Sequence, residues 1–551
     1  MASETETFDI VIVGSGAGGL CAALAAHDAG KSVVIVEKEP VFGGTSSRSG
    51  GAVWVPCNHL MESAGVTDSE ADALTYANAC VKEHTAAASP ERLAAYVHSG
   101  REMVRFLTKL GVKLRYAQGY SDYYDDRPGA RGQGRAIEAE LLDSRELGEW
   151  AEKLNRYAPF SIPMRVSEFS DLSNATRTMK GRFTALKLGY RLFLQRIRKR
   201  QIIGQGAALQ GRMLIQLLKR NIAIKLSSPV TALISEGGRI AGVTVMANGK
   251  PLEVRARDAV FLNSGGFSRN LTMRQQYLPA PQASTDLSLA NPGDTGEMLQ
   301  AAAAQGGELD QMNEAWWLVA AELPGGMVVS HTLDLSKPHV IMVDASGQRY
   351  VNEALAYMEL GQTMFARNRQ GKALPSWAIF DSMHRRRYTW GMAMPGQPPV
   401  EWIESGFLKR ADTIRDLALQ CGVDPDGLEA TVARFNGFVA KGRDEDFGRG
   451  NRGYEQMNGD PSIHPNPNLG TIAKAPFYAS PIMQGDAGTC GGVVTDADAR
   501  VLRPDGSVIE GLYAFGNVAA NVFGRSYPGP GITLGQSMIF GYRAALHAIK
   551  R

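Results

Sequence analysis

A glycine-rich turn directly after a β-branched strand constrains the fold of this chain more than any other feature. Residues 8–13 form an apolar run rich in Val and Ile, and the next six residues read Gly-Ser-Gly-Ala-Gly-Gly. In such a G-x-G-x-x-G turn, the glycines permit a tight bend, a close approach of the backbone to a pyrophosphate, and close packing of helix on strand. An alanine-rich segment at 17–29 and a second apolar run at 32–36 complete a β-turn-α-β unit. The sequence therefore predicts a Rossmann-like dinucleotide site.

Two further features indicate which dinucleotide is bound. The second strand ends at Glu37, whose carboxylate is placed to accept both hydroxyl groups of an adenosine ribose, and an acidic residue there disfavours a 2′-phosphate. Residues 43–51 then form a second loop that is rich in glycine and hydroxyl groups. A nicotinamide enzyme has no need of this loop, whereas a flavin ring lies far along the same groove and requires one. We therefore predict non-covalently bound FAD.

The candidate cofactor residues come from both loops and from short turns later in the chain. They are Gly14, Ser15, Gly16, Ala17, Gly18, Gly19, Glu37, Lys38, Gly44, Thr45, Ser46, Ser49, Gly50, Gly51, Val230, Ser264, Gly265, Gly516, Asn517, Thr533 and Leu534. The last two open a C-terminal apolar helix, whose positive end would stabilise a reduced flavin anion. No metal site is predicted, because the five cysteines are scattered and form no C-x-x-C pair.

Length and charge limit the class of protein. A chain of 551 residues is too long for one simple core, so two domains or one heavily inserted domain are expected. The formal net charge of +3 is too small to indicate a nucleic-acid partner. Residues 1–7 are polar and acidic and do not read as a signal peptide. Because no apolar run approaches the roughly 18–20 residues that span a bilayer, we expect a cytoplasmic protein.

Four blocks of sequence resemble the FAD-dependent succinate dehydrogenase and fumarate reductase superfamily, and within it the 3-ketosteroid Δ1-dehydrogenases. The blocks are residues 11–51, Ser-Asp-Tyr-Tyr at 121–124, the segment 347–357 with its Asn-Glu-x-x-x-Tyr, and the segment 488–531 that ends in Tyr-Pro-Gly-Pro-Gly. The resemblance covers most of the chain except about 160–204. The last two blocks are more particular to the steroid enzymes than the first.

The resemblance implies an α/β (α+β) fold in which a smaller catalytic domain interrupts a Rossmann-like FAD-binding domain. We place the FAD-binding domain at 1–315 and 485–551, and the catalytic, substrate-capping domain at 316–484. The active site is expected between them. The basic insertion at about 160–204 belongs to the first part of the FAD-binding domain.

The resemblance also implies roles for four residues. Tyr527 and the backbone N–H of Gly531 hold the C3 carbonyl oxygen of a 3-ketosteroid. Tyr357 takes a proton from C2, Tyr123 supports Tyr357 through a hydrogen bond, and the hydride from C1 passes to flavin N5. This reaction converts 3-oxo-4-ene steroids, including ones that keep the C17 side chain, to 1,4-dien-3-ones, and an external acceptor such as a quinone reoxidises the flavin. The neighbouring Tyr124 is the alternative to Tyr123.

These residue types suit the chemistry. Hydrogen is removed from a C–C bond more readily when a neighbouring carbonyl acidifies the proton, and each donor aimed at the developing enolate oxygen is worth about 3 kcal/mol. Pro528 and Pro530 lack N–H groups and would fix a turn that presents the Gly531 amide. A phenol has an ordinary pKa near 10, so ionising it at pH 7 costs about 4 kcal/mol. We hypothesise that Tyr123 and the oxidised flavin lower the pKa of Tyr357.

A basic segment departs from the family pattern. Residues 172–235 contain 13 Lys and Arg but no Asp or Glu. Apolar residues recur there every three or four positions, at Phe183, Leu186, Tyr190, Phe193 and Ile197. This spacing predicts a basic amphipathic helix. We hypothesise that about 165–200 docks the protein on an anionic membrane, at its inner face, and lengthens the steroid pocket. The alternative is a helix that packs in the core or faces another subunit of a homo-oligomer.

Three other functions are compatible with the sequence. Reduction of an unsaturated dicarboxylate such as fumarate requires Arg and His side chains. Arg525 lies beside the Tyr-Pro-Gly-Pro-Gly turn, but none of the nine His lies in the three later blocks. Steroid Δ4-dehydrogenation is disfavoured because Tyr-Pro-Gly-Pro-Gly belongs to the Δ1 pattern. The third is a membrane-attached binding protein that keeps FAD for structure alone.

Overall fold

The structure is a computed structural model that describes residues 4–157, 162–278, 287–371 and 373–550. Its strands are β1 (Glu4–Val13), β2 (Val33–Val36), β3 (Val53–Trp54), β4 (Leu114–Tyr116), β5 (Ala136–Ala139), β6 (Leu142–Asp143), β7 (Ile202–Ile203), β8 (Ala223–Lys225), β9 (Val230–Glu236), β10 (Arg239–Ala247), β11 (Lys250–Leu262), β12 (Leu309–Asp310), β13 (Ala315–Glu322), β14 (Val328–Ser330), β15 (Val340–Val343), β16 (Ser376–Asp381), β17 (Lys409–Ala411), β18 (Phe477–Thr489), β19 (Gly492–Val493), β20 (Arg500–Leu502) and β21 (Val508–Ala514).

The described residues also form helices. Three of these are short 3₁₀ segments, Ser144–Ala151, Val166–Glu168 and Gly516–Val518. The α-helices are α1 (Ala17–Asp28), α2 (Gly44–Arg48), α3 (His59–Ser63), α4 (Glu70–Cys80), α5 (Pro90–Lys109), α6 (Phe169–Ser173), α7 (Met179–Ile197), α8 (Gln205–Leu218), α9 (Leu271–Tyr277), α10 (Glu297–Ala304), α11 (Thr332–Leu335), α12 (Tyr357–Asn368), α13 (Ser382–Arg387), α14 (Val400–Glu404), α15 (Ile414–Cys421), α16 (Pro425–Lys441), α17 (Gly453–Asn458) and α18 (Ile532–Ala548). Of the helices so described, none is long and apolar enough to cross a membrane.

An eight-stranded sheet organises the first lobe. Its main order is β20-β21-β11-β1-β2-β8, with β10 and β9 added beside β11. The strands from β21 to β8 are parallel. Ile10 and Ile12 pack with α1 and α18 on one face, whereas Val11 and Val13 pack on the other face, because successive side chains of a strand alternate between faces. The sheet is therefore buried on both faces, as a Rossmann-like unit requires.

A second, antiparallel sheet organises the other lobe. Its order is β14-β13-β18-β16-β15, and β17 also pairs with β18. Val319 and Phe380 pack in a cluster on one face, and Ile341 and Ile379 pack in a cluster on the other. The two sheets agree with the predicted α/β (α+β) class. Since β18 runs through residues 477–489, it crosses the predicted boundary at 484/485, and the domain limits stay a prediction.

The basic amphipathic helix is present as α7, but it does not pack in the core. The apolar side chains of Phe183, Leu186, Tyr190, Phe193 and Ile197 are 69, 72, 62, 59 and 62% exposed. The alternative that this helix is a core helix is therefore wrong. Residues 158–161, at the start of the predicted insertion, lie outside the described residues.

A buried charge network supports the second lobe just before Tyr357. The Glu353 carboxylate is fully buried and accepts hydrogen bonds from Arg349 at 2.8 Å and from Arg449 at 3.1 Å. Arg349 also pairs with Asp444 at 3.0 Å. Burial alone would raise the pKa of Glu353, but the two guanidinium groups hold it below its ordinary value. Glu353 therefore contributes to stability as an anion.

We expect Glu353→Gln to destabilise the protein by about 3–5 kcal/mol, because it leaves the buried Arg449 guanidinium without its counter-charge and Arg349 with Asp444 alone. Chemical denaturation followed by circular dichroism measures the change. Glu429→Gln is the matched control, since Glu429 pairs with Arg415 at 2.7 Å on the surface, and it should leave the midpoint nearly unchanged.

The pH dependence has a defined sign. Because the folded pKa of Glu353 is depressed, its stabilisation is present above the unfolded pKa and is lost as the pH falls through the folded value. The difference in unfolding free energy between wild type and Glu353→Gln should therefore shrink in acid. A difference that grows as the pH falls would contradict this account.

Candidate active site

A long cleft between the two lobes gathers most of the predicted residues. The predicted cofactor residues that line it are Gly14, Ser15, Gly16, Glu37, Lys38, Gly44, Thr45, Ser46, Ser49, Gly50, Val230, Ser264, Gly265, Gly516, Asn517, Thr533 and Leu534. The predicted catalytic residues Tyr123, Tyr357 and Tyr527 line it as well. The cleft thus extends from the glycine turn after β1 to a cluster of tyrosines.

The turn after β1 is fixed by its contact with Asn263 at the end of β11. Gly14 has a φ of +101°, and a Cβ there would lie 2.3 Å from the Asn263 carbonyl oxygen, so a larger residue does not fit. The Asn263 side chain accepts a hydrogen bond from the N–H of Gly19 at 2.8 Å and donates one to the Phe515 carbonyl at 3.0 Å. Asn263 therefore joins the turn to the end of β21.

Glu37 is buried after β2, and its carboxylate shapes the same turn. One oxygen accepts hydrogen bonds from the N–H and the hydroxyl of Ser15, at 3.0 and 2.6 Å, and the other accepts from the N–H of Glu39 at 3.0 Å. Lys38 donates to Thr295 at 2.6 Å and to Glu297 at 3.1 Å. Each carboxylate oxygen has more than one lone pair, so this geometry is compatible with ribose binding at Glu37.

The donors along the cleft fit an FAD molecule. Helix α1 begins at Ala17 and α18 at Ile532, and the N-cap of each is a glycine without a side-chain cap. The N–H groups and the dipole of such helix ends favour an anion. Small and hydroxyl-bearing residues, Thr45 and Ser46 among them, line the cleft between these ends. The residues present therefore suit a pyrophosphate and a polar ring edge.

Five predicted residues are not part of the cleft lining: Ala17, Gly18, Gly19, Gly51 and Gly531. A Cβ on Gly18 would lie 2.4 Å from the Ser537 carbonyl, so this glycine allows α1 and α18 to pack closely. A Cβ on Gly51 would lie 2.3 Å from the Gln205 backbone. Both glycines support the site through packing.

The glycine-proline turn before α18 is held by remote segments. The Pro528 carbonyl accepts hydrogen bonds from the Tyr123 N–H at 2.9 Å and the Tyr76 hydroxyl at 2.5 Å. Gly531 has a φ of +84°, and a Cβ there would lie 1.8 Å from the Ala52 carbonyl oxygen. Only glycine therefore permits this turn to approach the backbone of Ala52, just before β3.

Three tyrosine rings meet at this turn. Tyr527 lies 4.8 Å from Tyr357 and 5.6 Å from Tyr123, and Tyr123 lies 5.6 Å from Tyr357, between ring centroids. The Tyr527 hydroxyl is 3.5 Å from that of Thr533. Burial raises the pKa of Tyr527, whereas hydrogen bonding to Thr533 and to the Gly531 N–H opposes the rise. The Tyr527 hydroxyl therefore lies in the cleft beside Thr533, at the start of α18.

The environment of Tyr357 opposes its ionisation. Burial raises the pKa of Tyr357 well above its ordinary value, and the neighbouring Tyr527 and Tyr123 raise it further. In the protein alone, Tyr123 does not lower this pKa, contrary to our hypothesis. The remaining candidate for lowering it is the oxidised flavin.

The two adjacent tyrosines have different environments. Tyr123 lines the cleft, whereas the Tyr124 hydroxyl is turned inward and accepts a hydrogen bond from the Tyr527 N–H at 3.1 Å. Arg127 stacks over the Tyr124 ring at 4.0 Å. This geometry favours Tyr123 as the partner of Tyr357 and gives Tyr124 a supporting role behind Tyr527.

The cleft also contains residues that the sequence analysis missed. They include Arg48, Tyr120, Leu289, Asn291, Asp294, Leu318, Leu333 and Tyr454. The Tyr454 ring lies 4.6 Å from that of Tyr123. Asp294 accepts a hydrogen bond from Thr45 at 2.8 Å, and burial raises the pKa of Asp294 to about 7. The glycine turn around Asp294 could have indicated a further cofactor-binding segment. Tyr454 lies in no sequence motif that indicates a place in the cleft.

An ion pair and a hydrogen bond hold Arg525 beside the turn. Arg525 does not line the cleft; its guanidinium pairs with Glu314 at 2.5 Å and donates to Asn313 at 2.7 Å. Gln362 of α12 donates to the Arg525 carbonyl at 3.1 Å. Arg525 therefore has a structural role.

Comparison with known proteins identifies the family. Residues 9–534 match the FAD binding domain family. The chain is 39% identical to a 3-oxosteroid 1-dehydrogenase of Mycobacterium tuberculosis and 38% identical to one of Mycolicibacterium smegmatis, over 98% of this chain and 98 and 97% of theirs. It also matches the crystal structure of 3-ketosteroid Δ1-dehydrogenase from Sterolibacterium denitrificans in complex with 1,4-androstadiene-3,17-dione, with a TM-score of 0.93, 37% identity and 99% coverage of both chains.

The fold agrees with that of the Sterolibacterium denitrificans enzyme over nearly the whole chain. The predicted resemblance and fold class are thereby confirmed. The chain belongs to the FAD binding domain family and, within it, to the 3-ketosteroid Δ1-dehydrogenases.

Proposed function

We propose that this protein is an FAD-dependent 3-oxosteroid 1-dehydrogenase, which converts 3-oxo-4-ene steroids to 1,4-dien-3-ones. The observation that carries the proposal is the meeting of Tyr357 and Tyr527, with ring centroids 4.8 Å apart, in the same cleft as the nucleotide-binding turn. The apolar side chains of Leu289, Leu318 and Leu333 line this cleft as well. A flat hydrocarbon with one carbonyl group suits such a lining.

The ketone is held where two donors converge. The Tyr527 hydroxyl and the Gly531 N–H donate to the C3 oxygen and stabilise the negative charge that develops on it. Hydrogen bonds from three tyrosines fix this turn. The Tyr76 hydroxyl and the Tyr123 N–H donate to the Pro528 carbonyl, and the Tyr124 hydroxyl accepts from the Tyr527 N–H. The donors are therefore positioned before the substrate arrives, and no reorganisation is needed during the reaction.

Tyr357 is the base for the C2 proton, and Tyr123 lies beside it. The neighbouring carbonyl, held by the two donors, acidifies this proton, which offsets part of the cost of using a phenol. FAD, when bound, supplies N5 as the hydride acceptor for C1. An external acceptor, a quinone or another oxidant, then removes the electrons.

The residues assigned to FAD follow the predicted set that lines the cleft, from Gly14 to Leu534. Under this proposal the first sheet and its helices form the FAD-binding domain, 1–315 and 485–551, and the second sheet forms the catalytic domain, 316–484. Asn291 and Asp294 extend the set, because both contact Thr45.

Fumarate reduction is less well supported. Arg525 is paired with Glu314, so it is not available to a dicarboxylate. Among the described residues, no His lines the cleft. Such a substrate requires cations around both carboxylates, whereas the part of the cleft around Tyr357 is lined by aromatic and aliphatic side chains.

The outward face of α7 supports a second part of the proposal, docking on an anionic membrane. Large exposed apolar rows are rare on proteins that remain in water. Exposed Arg182, Arg196, Arg198 and Lys199 make no ion pair with a described residue. Cations beside an apolar row match anionic headgroups above lipid chains. They disfavour pairing with a second copy of this helix, since like charges would meet.

The base of this segment is attached next to the cleft. Ser170 of α6 donates to the Met457 carbonyl at 2.6 Å, and Arg177 pairs with Asp460 at 2.8 Å. Met457 belongs to helix α17, and Asp460 follows that helix. The same helix carries Tyr454, which lines the cleft. Docking through α7 would therefore hold the cleft near the membrane, where sterols dissolve.

The proposed reaction predicts that a 3-oxo-4-ene steroid bleaches the flavin of the anaerobic yellow protein. Visible absorbance follows the bleaching, and mass spectrometry should find a product lighter by two hydrogen atoms. An unchanged spectrum would favour a protein that keeps FAD for structure. Reoxidation of the reduced protein by fumarate, without steroid product, would favour the dicarboxylate reaction.

Tyr357→Phe should reduce kcat by about 10²–10⁴-fold, because the variant lacks the base. Flavin content should stay normal, since the cofactor residues are unchanged. Stopped-flow flavin reduction and the absorbance ratio of flavin to protein measure the two effects. Tyr350→Phe is the matched control, because the Tyr350 hydroxyl faces Ser376 at 2.7 Å, outside the cleft. Substantial activity of Tyr357→Phe removes Tyr357 from the mechanism.

The triple variant Phe183→Ser, Leu186→Ser, Phe193→Ser should lose binding to vesicles of phosphatidylglycerol and phosphatidylcholine, as measured by co-sedimentation. Wild type should bind these vesicles and bind pure phosphatidylcholine more weakly, because the cations need anionic lipid. Leu419→Ser, an exposed leucine elsewhere on the surface, is the control. Wild type that stays in the supernatant would contradict membrane docking. A wild-type dimer that the triple variant dissociates would show that this face binds a second copy of the chain.

A further inference from the structure

We propose that Arg48 binds an acidic group at the end of the substrate remote from the C3 ketone. Steroids with a carboxylate on the C17 side chain would then be the preferred class. This inference rests on the proposed function, because it assumes that the ketone is held at Tyr527 and Gly531. It adds an anion site that the dehydrogenation itself does not require.

Arg48 is a cation in the cleft without a carboxylate partner among the described residues. It lines the cleft, its Nε is buried without a hydrogen bond, and no ion pair joins it to a described residue. Lys38, the other basic residue of the lining, is paired with Glu297 at 3.1 Å. A buried N–H group without an acceptor is costly unless a ligand satisfies it. Arg48 is therefore the cleft residue that most needs an anion.

The position of Arg48 separates it from the tyrosine cluster. Its guanidinium stacks over the Tyr157 ring at 5.0 Å, and the Tyr157 hydroxyl donates to the Val328 carbonyl. Val328 belongs to an apolar cluster that also contains Leu318 and Tyr357. The apolar side chains of Leu318 and Val328 thus connect Tyr357 to Tyr157, on whose ring Arg48 stacks. A rigid steroid that follows these side chains from its ketone would direct the opposite end toward Arg48.

The surrounding charges favour an incoming anion. Burial lowers the pKa of Arg48, and Arg269 lowers it further, whereas Tyr157 and Asp294 oppose this. Asp294 accepts a hydrogen bond from Thr45, and burial raises the pKa of Asp294 to about 7. It therefore supplies less than a full negative charge at neutral pH. A carboxylate ligand would give Arg48 both a counter-charge and two acceptors that match its planar fork.

The experiment compares a 3-oxo-4-ene steroid carrying a side-chain carboxylate with its methyl ester, which has the same rings and nearly the same length. For wild type we expect kcat/KM to be at least about tenfold higher for the acid, the size expected of one charged hydrogen bond. Arg48→Met, which keeps an apolar stem, should reduce this ratio to near one by slowing the acid. Arg48→Lys should retain part of the preference.

Lys38→Met is the matched control. It removes the other cleft cation, so it should lower FAD affinity and leave the ratio of acid to ester unchanged. Flavin content and midpoint potential of Arg48→Met are measured in parallel, because a changed potential with equal loss on both substrates would assign Arg48 to the flavin and overturn the inference. A wild-type ratio near one would overturn it as well. If wild type dehydrogenates neither steroid, the proposed function is wrong, and the inference about Arg48 falls with it.

Discussion

The candidate active site depends on the Pro528 carbonyl and the two hydrogen bonds that it accepts. The donors are the Tyr76 hydroxyl and the Tyr123 N–H, which lie some four hundred residues earlier in the chain. These bonds hold the Tyr123 ring beside the Tyr527 ring, 5.6 Å apart between centroids. One contact therefore positions both the proposed ketone-binding residue and the proposed support for the base, and a change that moves the turn moves both.

Much of the fold follows from local sequence. The β-branched run before Gly14 and the alanine-rich segment after it specify strand, turn and helix, and the structure has β1 and α1 at those places. The spacing of apolar residues likewise specifies α7. What local sequence does not specify is which face of a helix finds a partner. Phe183 and Phe193 read equally well as core or surface residues, and only the three-dimensional arrangement leaves them exposed.

The candidate site divides in the same way. Motif residues such as Glu37 and Tyr357 were predictable, because their chemistry requires a fixed place in a recognisable block. Tyr454 was not, since it reaches the cleft through packing between distant segments. Arg48 lies within the predicted loop 43–51, but sequence alone does not show that its guanidinium lacks a carboxylate partner. The direction of the pKa shift of Tyr357 was also beyond sequence, because it depends on how completely the surrounding rings exclude water.

The two lobes contribute separate parts of the chemistry, so their relative position matters more for turnover than for cofactor binding. Helix α12 carries Tyr357 at its first position and Gln362 little more than one turn later. Gln362 donates to the Arg525 carbonyl, two residues before Tyr527, and thereby connects the proposed base in one lobe to the proposed ketone-binding turn in the other. A shift of the lobes would change the distance between Tyr357 and Tyr527 and leave the turn at Gly14 intact, because that turn is held within the first lobe by Asn263. Dinucleotide binding is thus a property of one lobe, whereas proton and hydride removal depend on the contact between both.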